Sequence, residues 1–155
     1  METLNIKKKS YRIPHYTVRL VKEGVLPSES KTVDGPAVVV GVARPFIGNT
    51  AKEHFVCLLL NSRNHLIGLN LVSVGTLSAS LVHPREVFQP AILASAAAII
   101  VVHNHPSGDT TPSPEDKSAT KRLKESGELL GIPVLDHVVL STDGFFSFRE
   151  NGLLP

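Results

Sequence analysis

The segment Ile99–Val102 constrains the fold of this chain more than any other feature, because it is short, wholly apolar and set between two helix-like patterns. A strand with no polar position has no face to offer to water, so it belongs inside a sheet covered on both sides. Before it, His83-Pro84-Arg85-Glu86 opens a helical pattern with apolar Val87, Ile92 and Leu93 and alanines running to Ala98. After it, a loop over 104–112 leads to Ser113, which starts a second helix. Ala119, Leu123 and Leu130 recur there at helical spacing, and Gly131 closes the helix as a C-cap. This alternation predicts one α/β domain with a mixed β-sheet sandwiched by helices.

The remaining segments fit around that unit. Phe55–Leu60 reads as an apolar strand, Asn61-Ser62-Arg63-Asn64 as a turn, and Leu66–Val74, ending at Gly75, as the second arm of a hairpin. Leu77–Val82 reads as a further strand. Val134–Leu140 and Phe145–Phe148, joined through Thr142-Asp143-Gly144, form a second hairpin. Asp34-Gly35-Pro36 looks like a helix start, followed by Val38, Val39, Val40 and Val42, with Pro45 expected to end it. Residues 1–30 are expected to be a partly flexible N-terminal extension in which Tyr11–Val21 could hold a strand. The domain proper is expected over 31–155.

Composition narrows the function classes. With 155 residues, 42% apolar and 19% charged, the chain can close one substantial core. A net charge of +2 gives no strong basic field, so direct nucleic-acid binding is not expected, and Lys7-Lys8-Lys9 reads as a solvated tail. The apolar stretch Ala91–Val102 is too short and too rich in alanine to span a bilayer, and the N-terminus has no signal-like apolar core. A single cysteine, Cys57, sits inside an apolar run, which excludes a disulfide framework and reads as a buried, inert thiol. A reducing cytoplasm is the expected compartment.

The chemistry concentrates in His103-Asn104-His105-Pro106-Ser107-Gly108-Asp109, followed by Pro112-Ser113-Pro114-Glu115-Asp116. Two histidines two residues apart at the end of a strand project to the same side. The loop turns the chain, and the next helix returns a carboxylate from its first turn. Two imidazoles and a carboxylate are the ligand set of a zinc ion that keeps a position open to water. Each residue also has a plainer use. Ser113 as N-cap, Pro114 at the first position and acids facing the helix dipole are expected at any helix start, and for Asp116 alone capping comes first. Either histidine alone could sit in a loop or core. Together, at the end of a buried strand and facing a helix start, they point to a metal.

His103-x-His105, seven residues, then Ser113-x-x-Asp116 resembles the JAMM (MPN-plus) metalloprotease motif at every spacing. The likeness is closer still to RadC-like JAMM proteins. It extends to His83-Pro84-Arg85-Glu86, the whole of His103–Asp109, Pro112-Ser113, Leu135-Asp136-His137 and Ser147-Phe148-Arg149-Glu150. The resemblance implies a cytidine-deaminase-like α/β fold and a zinc held by His103, His105 and Asp116. It also implies a glutamate acting on the metal's water and a serine, Ser113, donating to the developing oxyanion. For the glutamate it favours Glu53, just before the strand Phe55–Leu60, over Glu86, whose ordinary role is a first-turn acid. His83 and His137 read as structural, with orientation of a ligand the alternative for His137.

Two departures from the family pattern stand out. RadC-like proteins often carry an N-terminal helix-hairpin-helix region, for which this chain has no room. Deubiquitinating members of the wider family usually place Ser or Thr between the histidines, where this chain has Asn104, which argues against a ubiquitin-like substrate. The function expected is a zinc-dependent hydrolase acting on a peptide or protein substrate, as peptidase or isopeptidase. The alternative is an accessory protein of DNA repair or mobile elements whose domain binds metal without turnover. The letters His-Asn-His do not mark a nuclease, whose motif of that name is spread over a much longer unit. A homo-oligomer is left open.

Overall fold

The structure, a computed structural model, describes residues 10–75 and 82–154. Its elements run α1 (Pro36–Ile47), β1 (Glu53–Leu60), β2 (Leu66–Gly75), α2 (Pro84–Leu93), β3 (Ala98–Asn104), α3 (Pro114–Leu130), β4 (Val134–Leu140) and β5 (Phe145–Ser147). The sheet order is β2-β1-β3-β4-β5, with β3 and β4 parallel and every other neighbouring pair antiparallel. This is the mixed sheet flanked by helices that the sequence implies.

The period of two explains why β1 and β3 have no polar face. Phe55, Cys57 and Leu59 of β1, with Ile99 and Val101 of β3, point to one side, where they pack with Val87, Phe88 and Ala91 of α2 and Leu123 of α3. Val56, Leu58 and Leu60, with Ile100 and Val102, point to the other, under Val39, Ala43 and Ile47 of α1. Continuing the odd-numbered series places His103 on the α2–α3 side. The Cys57 thiol is fully buried there, and burial pushes it up to about 12, so it is a packing group rather than a nucleophile.

Both hairpins form as expected. In the first, the Asn61 side chain accepts from the Arg63 and His65 main-chain N–H groups, and Asn64 takes the left-handed conformation the turn needs. In the second, Leu140 pairs with Phe145 and Val138 with Ser147. Asp136 then locks the hairpin to the segment after it. Its carboxylate accepts from the His137 and Arg149 main-chain N–H groups and from the Ser147 hydroxyl.

Several local expectations change. Pro45 does not end α1; it sits inside the last turn, and the helix continues to Ile47, where Gly48 (φ 69°) closes it. A proline so near the end removes only one hydrogen bond, and burial of Ile47 holds the final turn. Tyr11–Val21 forms no strand: residues 10–28 are without helix or strand and exposed. Just before α1 the chain joins the sheet at the bridge Thr32 to His65. The strand expected over Leu77–Val82 lies outside the described residues except for Val82, which is buried. On α2, Phe88, Pro90 and Ala91 are buried beside Val87, while Ile92 and Leu93 are exposed. The alanines after Leu93 form a turn rather than more helix. Leu130 is half exposed at the end of α3, whose buried stripe is Asp116, Ala119, Thr120, Leu123 and Gly127.

Candidate metal centre

β3, α3 and β4 form a strand–helix–strand crossover, so the N-terminus of α3 lies beyond the carboxyl end of β3, where ligand sites form in such sheets. The helix starts as its residues dictate. Ser113 is the N-cap and Pro114 the first residue. The Ser113 Oγ accepts from the Asp116 N–H (3.1 Å), and an Asp116 carboxylate oxygen accepts from the Ser113 N–H (2.7 Å). Capping therefore leaves the Asp116 carboxylate available to a metal ion. The bond that caps the helix fixes the carboxylate against the end of β3.

His103 Nε2 lies 3.2 Å from Asp116 Oδ1, and His105 Nε2 lies 3.4 Å from Asp116 Oδ2. The two Nε2 atoms are 3.0 Å apart. Donor atoms around a tetrahedral zinc with bonds of about 2.1 Å are separated by about 3.4 Å, so the cluster has the size of one ion's ligand shell. His103 is fully buried, Asp116 nearly so, and His105 opens to the surface.

The hydrogen bonds behind the ligands fix which nitrogen of each imidazole carries its lone pair. His105 Nδ1 donates to the Asp109 carbonyl (2.7 Å), leaving Nε2 as an acceptor. The Thr120 hydroxyl donates to the Asp116 carbonyl (2.7 Å), so His137 Nδ1 must donate to Thr120 Oγ1 (2.6 Å). His137 Nε2 then accepts from His103 Nδ1 (2.8 Å), and His103 Nε2 is left with a lone pair. Two imidazole nitrogens and a carboxylate thus converge within about 3 Å, an arrangement that calls for positive charge between them, either a proton shared with Asp116 or a metal ion.

In the metal-free chain a proton shared with Asp116 supplies that positive charge. Burial raises the Asp116 carboxyl, but hydrogen bonds from His103 and His105 outweigh it and hold the group well below the usual carboxylate range. The Asp116 hydrogen bond raises His105 despite burial, helped by the Asp109 carbonyl and the charges of Asp116 and Glu53. Complete burial, reinforced by the charge of His103, drives His137 well below its ordinary value, so it stays neutral as the relay requires. Phe148 stacks on the His137 ring at 4.7 Å, and Phe55 lies parallel to His103 at 6.0 Å.

Glu53 begins β1. The antiparallel register ends with Phe55 paired to His103, and Glu53 lies two residues beyond on β1, near enough for its charge to raise His105. Glu86 lies elsewhere. It lines an apolar cavity of about 760 Å³ with Leu129 and Leu130, at the end of α3 away from Asp116. Leu129 lies thirteen positions after Asp116 on the helix, a rise of about 20 Å. His83 is exposed at the start of α2. The sequence reading left His137 between structural and orienting roles; its contacts place it directly behind His103. Thr120 carries a single signal in the sequence, a polar residue on the helical stripe of α3 four positions after Asp116.

A RadC-like JAB domain family model matches residues 33–153. The chain is 53% identical over 122 residues to a UPF0758 protein of Rubrobacter xylanophilus, covering 79% of this chain and 53% of that protein. It is 52% identical over 119 residues to a UPF0758 protein of Symbiobacterium thermophilum, covering 77% and 51%. For a UPF0758 protein of Desulforamulus reducens the identity is 46% over 130 residues, covering 83% and 57%. The chain therefore spans about half the length of the curated relatives it matches.

Proposed function

The chain belongs to the RadC-like JAB domain family, and on that premise we propose that it is a zinc-binding domain that hydrolyses a peptide or isopeptide bond. The observation that carries the zinc site is the convergence of His103 Nε2, His105 Nε2 and an Asp116 carboxylate at 3.0–3.4 Å, with each imidazole's other nitrogen tied back. A borderline-soft ion that accepts nitrogen and oxygen donors in a tetrahedron suits that set.

When bound, zinc supplies Lewis acidity that brings a ligating water toward neutral pKa and polarises a carbonyl. The Glu53 carboxylate, near enough to raise His105, is the group we assign to take up the water's proton and hand it to the leaving amine. The helix cap uses Ser113 Oγ as an acceptor, so its hydroxyl proton is not consumed by the cap. We assign that proton to the oxygen on which charge develops. Asp116 and His137 hold the imidazoles and do not exchange protons with substrate. The single buried thiol is consistent with a reducing compartment, and no helix among the described residues is long and apolar enough to cross a membrane.

A second reading is favoured by the position of the 760 Å³ cavity, which is lined by α2 and α3 and by none of the three ligands. In that reading the domain binds metal as an accessory module, of DNA repair or mobile elements, without turnover. Elemental analysis separates both readings from a metal-free protein: about one zinc per chain is expected, and none after Asp116→Ala. Peptide-library cleavage separates the readings from each other. Cleavage by the zinc-loaded wild type, lost in Glu53→Gln and kept in Glu86→Gln, supports the hydrolase; a zinc-loaded chain that cleaves nothing supports the accessory module.

A further inference from the structure

The last rung of the β1–β3 ladder pairs Phe55 with His103. Beyond it, β3 ends at Asn104 while β1 extends two residues further to Glu53. The Asn104 side chain reaches that extension. Its Oδ1 accepts from the His54 N–H at 2.6 Å, and its Nδ2 donates to the Lys52 carbonyl at 3.1 Å. One carboxamide thus offers the acceptor and the donor that a further peptide unit of β3 would have offered, and its two bonds fall on the peptide groups flanking Glu53. The Lys52 carbonyl also meets His54 Nδ1 at 3.1 Å, which tightens the same turn.

We propose that Asn104, the residue between the two histidine ligands, is the positioning residue for Glu53, setting its carboxylate toward the metal centre. The assignment rests on the zinc-hydrolase reading and deepens it. Glu53 continues the odd-numbered series of β1 whose inward members, Phe55 and Cys57, face the same side as His103. β2 holds one edge of the start of β1 through the pairs Glu53–Gly75 and His54–Val74, and the Asn104 carboxamide holds the edge toward β3. An alanine at position 104 keeps the ligands and the strand but leaves the His54 N–H and the Lys52 carbonyl without their partner, and the start of β1 is then held from the β2 side alone. Serine or threonine places one oxygen on a shorter stem, so it lacks the two separate atoms with which the carboxamide bonds the His54 N–H and the Lys52 carbonyl at once. The same residue therefore ties the spacing of the ligand pair to the aim of the acid.

The test replaces zinc with Co(II) in the full chain, whose visible absorption reports the ionisation of ligating water without any substrate. Glu53→Gln is expected to move the pH midpoint of that spectrum by about one unit. Asn104→Ala is expected to reproduce at least about half of that shift, with Co(II) affinity changed less than about 3-fold, well short of the loss of a ligand-orienting group. Amide exchange in the metal-free chain reads the geometry directly, and the His54 N–H should exchange about ten times faster in Asn104→Ala. Asn104→Ser provides the same comparison if the alanine variant does not fold. An Asn104 variant that titrates as wild type, while Glu53→Gln shifts, overturns the positioning role alone. A wild type that binds no Co(II), or a Glu53→Gln that does not shift, overturns the zinc-hydrolase reading and this role with it.

Discussion

His103 Nδ1 lies 2.8 Å from Nε2 of His137, a residue 34 positions later on the neighbouring strand. The orientation of one histidine of the His-His-Asp cluster is thereby set by β4, and β4 is in turn tied to α3 by the Thr120 hydroxyl, which bridges His137 and the Asp116 carbonyl. Two of the three cluster residues are held from behind by one chain of hydrogen bonds.

Breaking that chain should weaken the metal without removing a ligand. Thr120→Val keeps the shape of the side chain and deletes its oxygen, leaving the His137 ring free to take the other tautomer. Zinc affinity should fall about 10–100-fold, and by a similar factor in His137→Ala. Calorimetric titration with zinc measures both. Unchanged affinity in Thr120→Val would mean that the relay does not orient His103.

Asp116→Asn separates the two uses of the aspartate. An asparagine oxygen can still accept from the Ser113 N–H, so the helix start should survive and stability should change by no more than about 1 kcal/mol. The charge opposite the two imidazoles is lost, and zinc affinity should drop by more than the roughly 100-fold limit for an outer group. Circular dichroism with zinc titration reads the two effects on one sample.

Acid and base should each destabilise the metal-free protein, through different histidines. His137 has a folded value well below its ordinary 6.5, so the stability it contributes is complete above pH 6.5 and is lost as pH falls, because the unfolded chain takes the proton first. His105 is raised above 6.5, so its contribution is complete below 6.5 and is lost as pH rises through the raised value. Stability should therefore peak near pH 6.5, with an acid limb of up to about 1.4 kcal/mol per pH unit that disappears in His137→Asn. Urea unfolding with chelator between pH 5 and 8 checks this. An unaltered acid limb in His137→Asn would assign it to another group.

Gly127 marks where α3 meets the chain that follows it. A Cβ there would stand 2.5 Å from the Ile132 carbonyl oxygen and 3.2 Å from a Phe88 ring carbon, and the Ile132 N–H bonds the Gly127 carbonyl at 2.9 Å. The backbone cannot retreat from the added methyl without losing that bond. Gly127→Ala should cost about 1–3 kcal/mol in denaturant unfolding despite the better helix propensity of alanine, with zinc affinity kept.

By itself the sequence determined what depends on near neighbours. The wholly apolar Ile99–Val102 gave a strand buried on both faces. The period of two carried His103 and His105 to one side, and Ser113-Pro114-Glu115-Asp116 specified a helix start with a carboxylate in its first turn. Those features need only a few consecutive residues and their backbone geometry, and together they contain the metal cluster. Only the tertiary structure decided the matters that depend on strand order and register. First-turn and strand-start acids look alike in a sequence. The antiparallel pairing of β1 with β3 brings Glu53 near His105, while the length of α3 carries Glu86 to its other end. The parallel pairing of β3 with β4 put His137 behind His103, and where β3 stops left Asn104 to complete the ladder for β1. Register is set by how the whole apolar face packs, so no local pattern could announce it.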